Sequence, residues 1–219
     1  FMASDGGDGF HDAIACYRQV SSVACETVNA IGKPIRAPFL FNQENNTAYI
    51  ELASASGLAQ LPNTLRDPMK TSTYGTGIQI KQAISIGATK IYVGLGGSAT
   101  NDGGIGIANA LGYQFLDAQG NLLRPKGENL DRIADYHPTK DFSSVEFYAV
   151  NDVSNPLCGK NGASIVYGPQ KGASEKQVIM LDSGLQHLNT IVIKKKSRDL
   201  STLAGAGAGS HGAAVFVRC

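Results

Sequence analysis

The hydrophobic and polar positions change period along the chain, and each change marks an element. A short helix is expected over His11 to Val20, and three extended runs follow at Val23–Ala30, Pro34–Phe41 and Thr47–Ala53. Turn chemistry separates them, Ile31-Gly32-Lys33-Pro34 and then Asn42-Gln43-Glu44-Asn45-Asn46, which predicts an antiparallel meander. From Thr71 the period becomes helical. Ile80, Ala83, Ile84 and Gly87 stand at i, i+3, i+4 and i+7, so a helix is predicted over 72–86 with Gly87 as its stop. The run Ile91-Tyr92-Val93-Gly94-Leu95 is continuous and apolar, as in a parallel strand buried on both faces. It leads through Gly96 to Gly104 into a small-residue helix, Ile105 to Leu111. Further strands are predicted at Glu146–Val150, ending in Asn151-Asp152, and at Ala163–Tyr167, ending in Gly168-Pro169-Gln170-Lys171-Gly172. Ser174-Glu175-Lys176-Gln177 is a capping box, and Val178, Leu181, Leu185 and Leu188 form the apolar stripe of a last long helix. Strands that end in glycine loops and feed helices predict an α/β fold.

Composition narrows the functions that such a fold could carry. The 219 residues allow one or two domains, and 42% hydrophobic against 17% charged residues is a globular balance. Nineteen Lys and Arg against 18 Asp and Glu leave a net charge of +1, so neither nucleic acid nor an anionic membrane is an expected partner. Any anion site must be local. Cys16, Cys25, Cys158 and Cys219 form no C-x-x-C pair and no zinc-like spacing with a histidine, which suggests a reducing, cytoplasmic setting. No run approaches the roughly 18 apolar residues of a membrane helix, and no signal-peptide pattern opens the chain. The opening, Phe1-Met2-Ala3-Ser4-Asp5-Gly6-Gly7, reads as the end of a strand entering a glycine turn, so further chain is expected upstream.

The 26 glycines cluster, and the densest cluster is the strongest chemical signal. In Gly96-Gly97-Ser98-Ala99-Thr100-Asn101-Asp102-Gly103-Gly104 a strand end, permissive backbone, two hydroxyls and a helix start can aim several N–H groups at one anion. The plainer alternative is a tight strand-to-helix turn capped by Asn101 or Asp102. No Walker A sequence occurs, and Ser98 lacks the flanking glycine of a nucleophile elbow. Gly207 to Gly212 matches G-x-G-x-x-G, but no convincing strand precedes it and too little chain follows for a βαβ unit. Asp5, Asp102 and Asp152 sit beside glycine turns or strand ends, where they could converge to take a hydroxyl proton or hold Mg²⁺; a turn-former bonding its own backbone is the alternative for each. Lys171 lies just before the capping box, where the positive end of a helix opposes it unless an anion binds there or the side chain turns to solvent. The four histidines share no face and receive no role.

These residues carry a family resemblance. Met2-Ala3-Ser4-Asp5-Gly6-Gly7-Asp8-Gly9, Glu51 to Leu58, Thr73-Tyr74-Gly75-Thr76-Gly77, Gly96 to Gly104, Asn151 to Leu157 and Gly168 to Ala173 follow in order the motifs of the bacterial type I glycerate kinase family, with Ser4 extra. The resemblance implies transfer of a phosphoryl group from ATP, with Mg²⁺, to a hydroxyl of D-glycerate in a cleft between two domains. It also implies a flavodoxin-like domain, only partly present over 1–20 and 201–219, with a second α/β domain inserted over 21–200. The chain departs from the pattern in three ways: the usual first strand and its loop are missing, everything after the Gly-Ala run is missing, and Asn151 stands where Cys is frequent. Ser210 to Cys219 no longer follow the expected glycine-rich helix start.

On this footing Asp102, Asp152 and Lys171 are the expected catalytic groups. Gly96, Gly97, Ser98, Ala99, Thr100, Asn101, Gly103 and Gly104, with Asp5, Gly6 and Gly7, are the expected binders of substrate or phosphate, and the metal ligands stay open. Phosphoryl transfer needs positioning and charge stabilisation more than a covalent nucleophile, so such a set is sufficient. Two rival readings remain: a catalytically incomplete domain that binds phosphate or carboxylate, and a metal-dependent phosphohydrolase built on the same carboxylates.

Overall fold

Turn chemistry and strand alternation are realised together in a computed structural model, which describes residues 6–201 and 205–207. After helix α1 (Phe10–Tyr17) come strands β1 (Ser21–Val28), β2 (Pro34–Asn42) and β3 (Thr47–Glu51), each antiparallel to the one before. The first turn is held by Asn29, whose Oδ1 accepts from the N–H groups of Ile31 and Lys33 at 3.2 and 2.9 Å. The second is held by Asn42, whose Oδ1 accepts from Asn45 N–H at 3.1 Å. These are the Asx turns that Asn favours. The meander is present as predicted, although its third strand stops two residues short of Ala53, where the short helix α2 (Ala53–Ser56) begins.

Beyond α2, a 3-10 turn at Asn63–Leu65 leads to helix α3 (Tyr74–Ser85), and strand β4 (Lys90–Gly94) then pairs parallel to β3. Gly87 has φ of 102°, a left-handed conformation that ends the helix as its position predicts. Helix α4 (Ile105–Ala110) follows, then strands β5 (Gln114–Leu116) and β6 (Asp135–His137), an antiparallel pair with a 3-10 turn at Gly127–Arg132 between them. Strand β7 (Glu146–Val150) closes the main sheet parallel to β4, in the order β1-β2-β3-β4-β7. Helix α5 (Ala163–Tyr167), a 3-10 turn at Pro169–Lys171 and helix α6 (Glu175–Lys196) complete the described elements.

The predicted strand at Ala163–Tyr167 is a helix. A five-residue apolar run carries too little period to separate a buried strand from one helical turn. Here Val166 N–H donates to Gly162 O at 3.0 Å and Gly168 N–H to Ser164 O at 2.9 Å. Ala163 and Ser164 are buried, whereas Ile165 and Val166 face outward.

Strand alternation sends Phe39, Phe41, Ala48, Ile50, Ile91, Val93 and Phe147 into the main core, which α3, α4 and the apolar stripe of α6 cover. All four stripe residues, Val178, Leu181, Leu185 and Leu188, are buried. Leu40 and Tyr49 point to the other face and pack with Phe10 of α1. On that face Tyr49, Tyr92 and Tyr148 stack across three neighbouring strands, with ring centroids 5.4 and 4.6 Å apart. Among the described residues, no helix is long and apolar enough to cross a membrane.

Helices α3 and α4 approach so closely that a Cβ on Gly77 would lie 2.6 Å from Ala110 Cβ and 2.8 Å from Ile107 Cα. Gly77→Val therefore forces the two helices apart, at a cost of about 3 kcal/mol from overpacking. Urea denaturation of the variant reads the loss directly; an unchanged midpoint would mean that the contact is not tight.

Candidate functional site

Strands β4 and β7 run parallel and in register, so Gly94 and Val150 end side by side. Two loops leave these carboxyl ends, 95–104 and 151–162, and the crevice outside such ends is where α/β sheets gather ligands. Gly6 and Gly7 are wedged against the same ends. Gly96 N–H donates to Gly6 O at 2.9 Å, and Leu95 N–H to Val150 O at 3.0 Å. A Cβ on Gly6 would come within 2.3 Å of Val150 O, and one on Gly96 within 2.4 Å of Gly7 Cα. Only glycine fits either place. Asp5 lies outside the described residues, as does all but the first residue of the 207–212 glycine pattern.

The expectation of open amides along the whole run from Gly96 to Gly104 narrows, because the chain itself takes four of the nine. Gly96 N–H is taken by Gly6, Ala99 N–H by Ser56 O at 2.9 Å and Thr100 N–H by Ser98 Oγ at 3.1 Å. Gly104 and Gly106 N–H donate to the carboxylate of Asp102, at 3.0 Å to Oδ1 and 3.3 Å to Oδ2. The start of α4 is thus filled by the chain itself, close to the plainer N-cap reading. The N–H groups of Gly97 and Ser98 keep no partner among the described residues. Ala99, Thr100 and Asn101 are buried and act as anchors: Ala99 O accepts from Thr71 Oγ1 at 2.9 Å, and Asn101 Nδ2 donates to Ser164 Oγ at 2.9 Å. Gly103 and Gly104, with φ of 59° and 78°, turn the chain into α4.

Gly97 and Ser98 open into a cleft of about 340 Å³ whose walls also carry Asp152 and Lys171. Five sequence-predicted residues, Gly96, Gly97, Ser98, Asp152 and Lys171, therefore meet at one place. Asp102 does not. It is fully buried beneath the loop, and its Oδ2 accepts from both the N–H and the hydroxyl of Thr73 at 2.8 Å. Burial pushes its carboxyl upward, opposed by the donors from Thr73, Gly104 and Gly106.

Lys171 ends the 3-10 turn after α5, and Gly172 at φ of 92° redirects the chain toward the capping box of α6. The side chain avoids the positive end of that helix by reaching back to the glycine loop, where its Nζ donates to Thr100 O at 2.6 Å. It is 5% exposed. Burial pushes the ammonium down to about 8 from a lysine's usual 10.5, and the negative charge of Asp102 resists the fall. Asp152, by contrast, is exposed at the mouth.

Six wall residues had no part in the expected site: Leu58, Leu95, Asn151, Val153, Tyr167 and Gln170. Asn151 drew notice at the end of a predicted strand and as a departure from a family pattern, without a role in the site, and its Oδ1 accepts from Val153 N–H at 3.2 Å. Tyr167 was assigned to a strand; its hydroxyl donates to Asn155 Oδ1 at 2.7 Å, and burial, then the Asp152 charge, raise its phenol. Asp8 was also missed. A Cβ on Gly97 would meet its Oδ1 at 3.2 Å, so this carboxylate stands beside the open amides. The second acidic residue of the Asp5-Gly6-Gly7-Asp8 run was the available signal.

The family model described as the glycerate kinase family matches residues 1–219. The chain belongs to the glycerate kinase family. It is 40% identical to the glycerate 2-kinase of Escherichia coli K12 over 97% of its own length and 57% of that protein's. It is 38% identical to the glycerate kinase of Haemophilus influenzae over 94% of its length and 55% of the relative's. A crystal structure provisionally assigned as a glycerate kinase 2, from Salmonella typhimurium LT2, superposes with a TM-score of 0.91 at 39% identity, covering 98% of this chain and 59% of that one. The mixed α/β fold is thus that of the glycerate kinase family, and the chain spans about half the length of the curated relatives it matches.

The buried lysine has a consequence for stability. Its folded-state value near 8 lies below the unfolded value, so between about 8 and 10.5 the unfolded chain binds more protons and stability rises with pH. Below about 8 the ammonium is charged in both states and the burial cost stays in full. Relative to Lys171→Met, the wild type should gain up to about 3 kcal/mol across that window. Urea denaturation of both proteins from pH 7 to 10.5 measures the difference; parallel curves would contradict the burial of this charge.

Proposed function

We propose that the cleft binds D-glycerate and that this protein serves ATP-dependent phosphorylation of one of its hydroxyls. The observation that carries this reading is the meeting, at the ends of two parallel strands, of two open amides, a buried ammonium and an exposed carboxylate. The printed names of the relatives supply the substrate class. Gly97 and Ser98 N–H with Lys171 bind a carboxylate or phosphate oxygen, where the low-dielectric setting strengthens each contact. Asp152 receives the proton of the acceptor hydroxyl.

Among the described residues no group of three or more His, Cys, Asp or Glu side chains could hold a metal ion. Mg²⁺ carried on nucleotide phosphates needs only one or two protein carboxylates, and Asp8, beside the Gly97 amide, would be the candidate. The ion would neutralise phosphate charge. In the same reading, residues 21–200 are an inserted α/β domain, 1–20 and 201–219 belong to a flavodoxin-like one, and the setting is cytoplasmic.

An ADP-release assay with and without D-glycerate, run beside calorimetry of each ligand, tests the proposal. Turnover that needs D-glycerate supports it, and phosphate release without the acid would favour a phosphohydrolase. Because the chain spans about half of its relatives' length, binding of D-glycerate without turnover would mark it as an acceptor-binding unit. Where turnover is seen, Lys171→Met and Asp152→Asn should each lower kcat by about two to three powers of ten with the fold retained. Near-wild-type rates in both would overturn the assignment.

A further inference from the structure

Two parts of the cleft wall come from one stretch of chain. The loop 151–162 leaves β7 with Asp152 near its start, and the segment that follows, α5 and the turn after it, brings Tyr167, Gln170 and Lys171 to the same cleft. That second segment is anchored on the glycine loop. Lys171 Nζ donates to Thr100 O at 2.6 Å, and Ser164 Oγ accepts from Asn101 Nδ2 at 2.9 Å. Asn155 joins the Asp152 loop to it. The Asn155 Oδ1 accepts from the Tyr167 hydroxyl at 2.7 Å, its Nδ2 donates to Asn161 O at 3.0 Å, and its backbone O accepts from Gly207 N–H at 2.9 Å. A backbone carbonyl cannot donate, so the bond to Asn161 fixes which end of the carboxamide is nitrogen, and the Tyr167 proton is committed to the oxygen at the other end.

Tyr167 stands four residues before Lys171, and Asn155 three residues after Asp152. We propose that Tyr167 and Asn155 are positioning residues: their hydrogen bond sets the span between the Lys171 ammonium and the Asp152 carboxylate, and so selects ligands that carry an anion and a hydroxyl at that separation. This deepens the proposed function and rests on its reading that Lys171 holds the anion and Asp152 meets the hydroxyl; it asks no contact with substrate of either new residue. A ligand held at both ends loses affinity when the span shifts, because one end must let go or strain. A bare oxyanion on Lys171 and the Gly97 and Ser98 amides is indifferent to it. The hydroxyl can be removed without unpacking α5, since Ala163 and Ser164 are its buried residues and Tyr167 is only half-buried.

The test is an amide chemical-shift titration of the whole chain, following Gly97 and Ser98, with D-glycerate as the ligand that spans both ends and inorganic phosphate as the probe of the anion end alone. Tyr167→Phe and Asn155→Ala should each weaken D-glycerate about tenfold, the size of one lost hydrogen bond, and leave phosphate within about twofold. The double variant should bind D-glycerate no more weakly than Asn155→Ala, because both changes remove the same bond. Equal weakening of the two ligands would mark a general loosening of the fold, and additive losses would mark Tyr167 as a direct ligand contact; either result overturns the proposal, as does an unchanged D-glycerate affinity in Tyr167→Phe. If Asn155→Ala does not fold, the ratio of the two affinities in Tyr167→Phe decides alone. A wild type that ignores phosphate lacks the anion end from which the span is measured, and overturns it too. Failure of D-glycerate to bind the wild type would remove the proposed substrate and this role with it, whereas binding with an unselective Tyr167→Phe would remove only the role.

Discussion

A carboxylate with no solvent exposure is the constraint around which the site is organised. Burying an unpaired charge costs several kcal/mol even after relaxation, so Asp102 demands donors from wherever the chain can bring them. They come from the start of α3 at Thr73 and from the start of α4 at Gly104 and Gly106. The starts of these two helices, on either side of β4 in the chain, are thereby tied to one carboxylate. Helix α4 gains from the same arrangement, because its N-cap is Gly104, which has no side chain to satisfy the first-turn amides. Removing the carboxylate would leave those amides and Thr73 without their shared partner, at a cost of about 1–3 kcal/mol for each buried donor left unmet.

The glycine loop inherits its selectivity from that anchoring. Gly6, Ser56, Ser98 and Asp102 take four of its nine amides, and on the stretch that lines the cleft the N–H groups of Gly97 and Ser98 stay open. A ligand there meets a pair of preorganised dipoles beside one cation instead of a diffuse positive helix end. Preorganised donors lose little on binding, since the protein has already fixed their direction during folding.

How much of this could be read beforehand depends on the range of the physics involved. Local period and turn chemistry placed β7 at Glu146–Val150 with the bounds observed, and the capping box and the stripe from Val178 to Leu188 placed the start and buried face of α6. Ala163 to Tyr167 failed because five apolar residues fit one helical turn as well as a strand, and the deciding contacts involve Gly162 and packing on α6. Within the site, residue types at strand ends pointed to Gly97, Ser98, Asp152 and Lys171. The state of several amides was not legible, since the partners of Gly96 and Ala99 lie tens of residues away at Gly6 and Ser56. The same holds for Asp102, whose inward direction is set by α3 and not by its neighbours in sequence.

The division of labour among the carboxylates follows from solvent access. Asp102 is surrounded by donors and buried where no acceptor hydroxyl could reach it. Asp152 is exposed at the mouth of the same cleft, where the charge it projects is felt by the Tyr167 phenol. A general base must touch the proton that it takes, a condition that an exposed carboxylate can meet and a fully buried one cannot. One carboxylate lies below the glycine loop and the other at the cleft mouth, and Lys171 grips the loop itself through the carbonyl of Thr100.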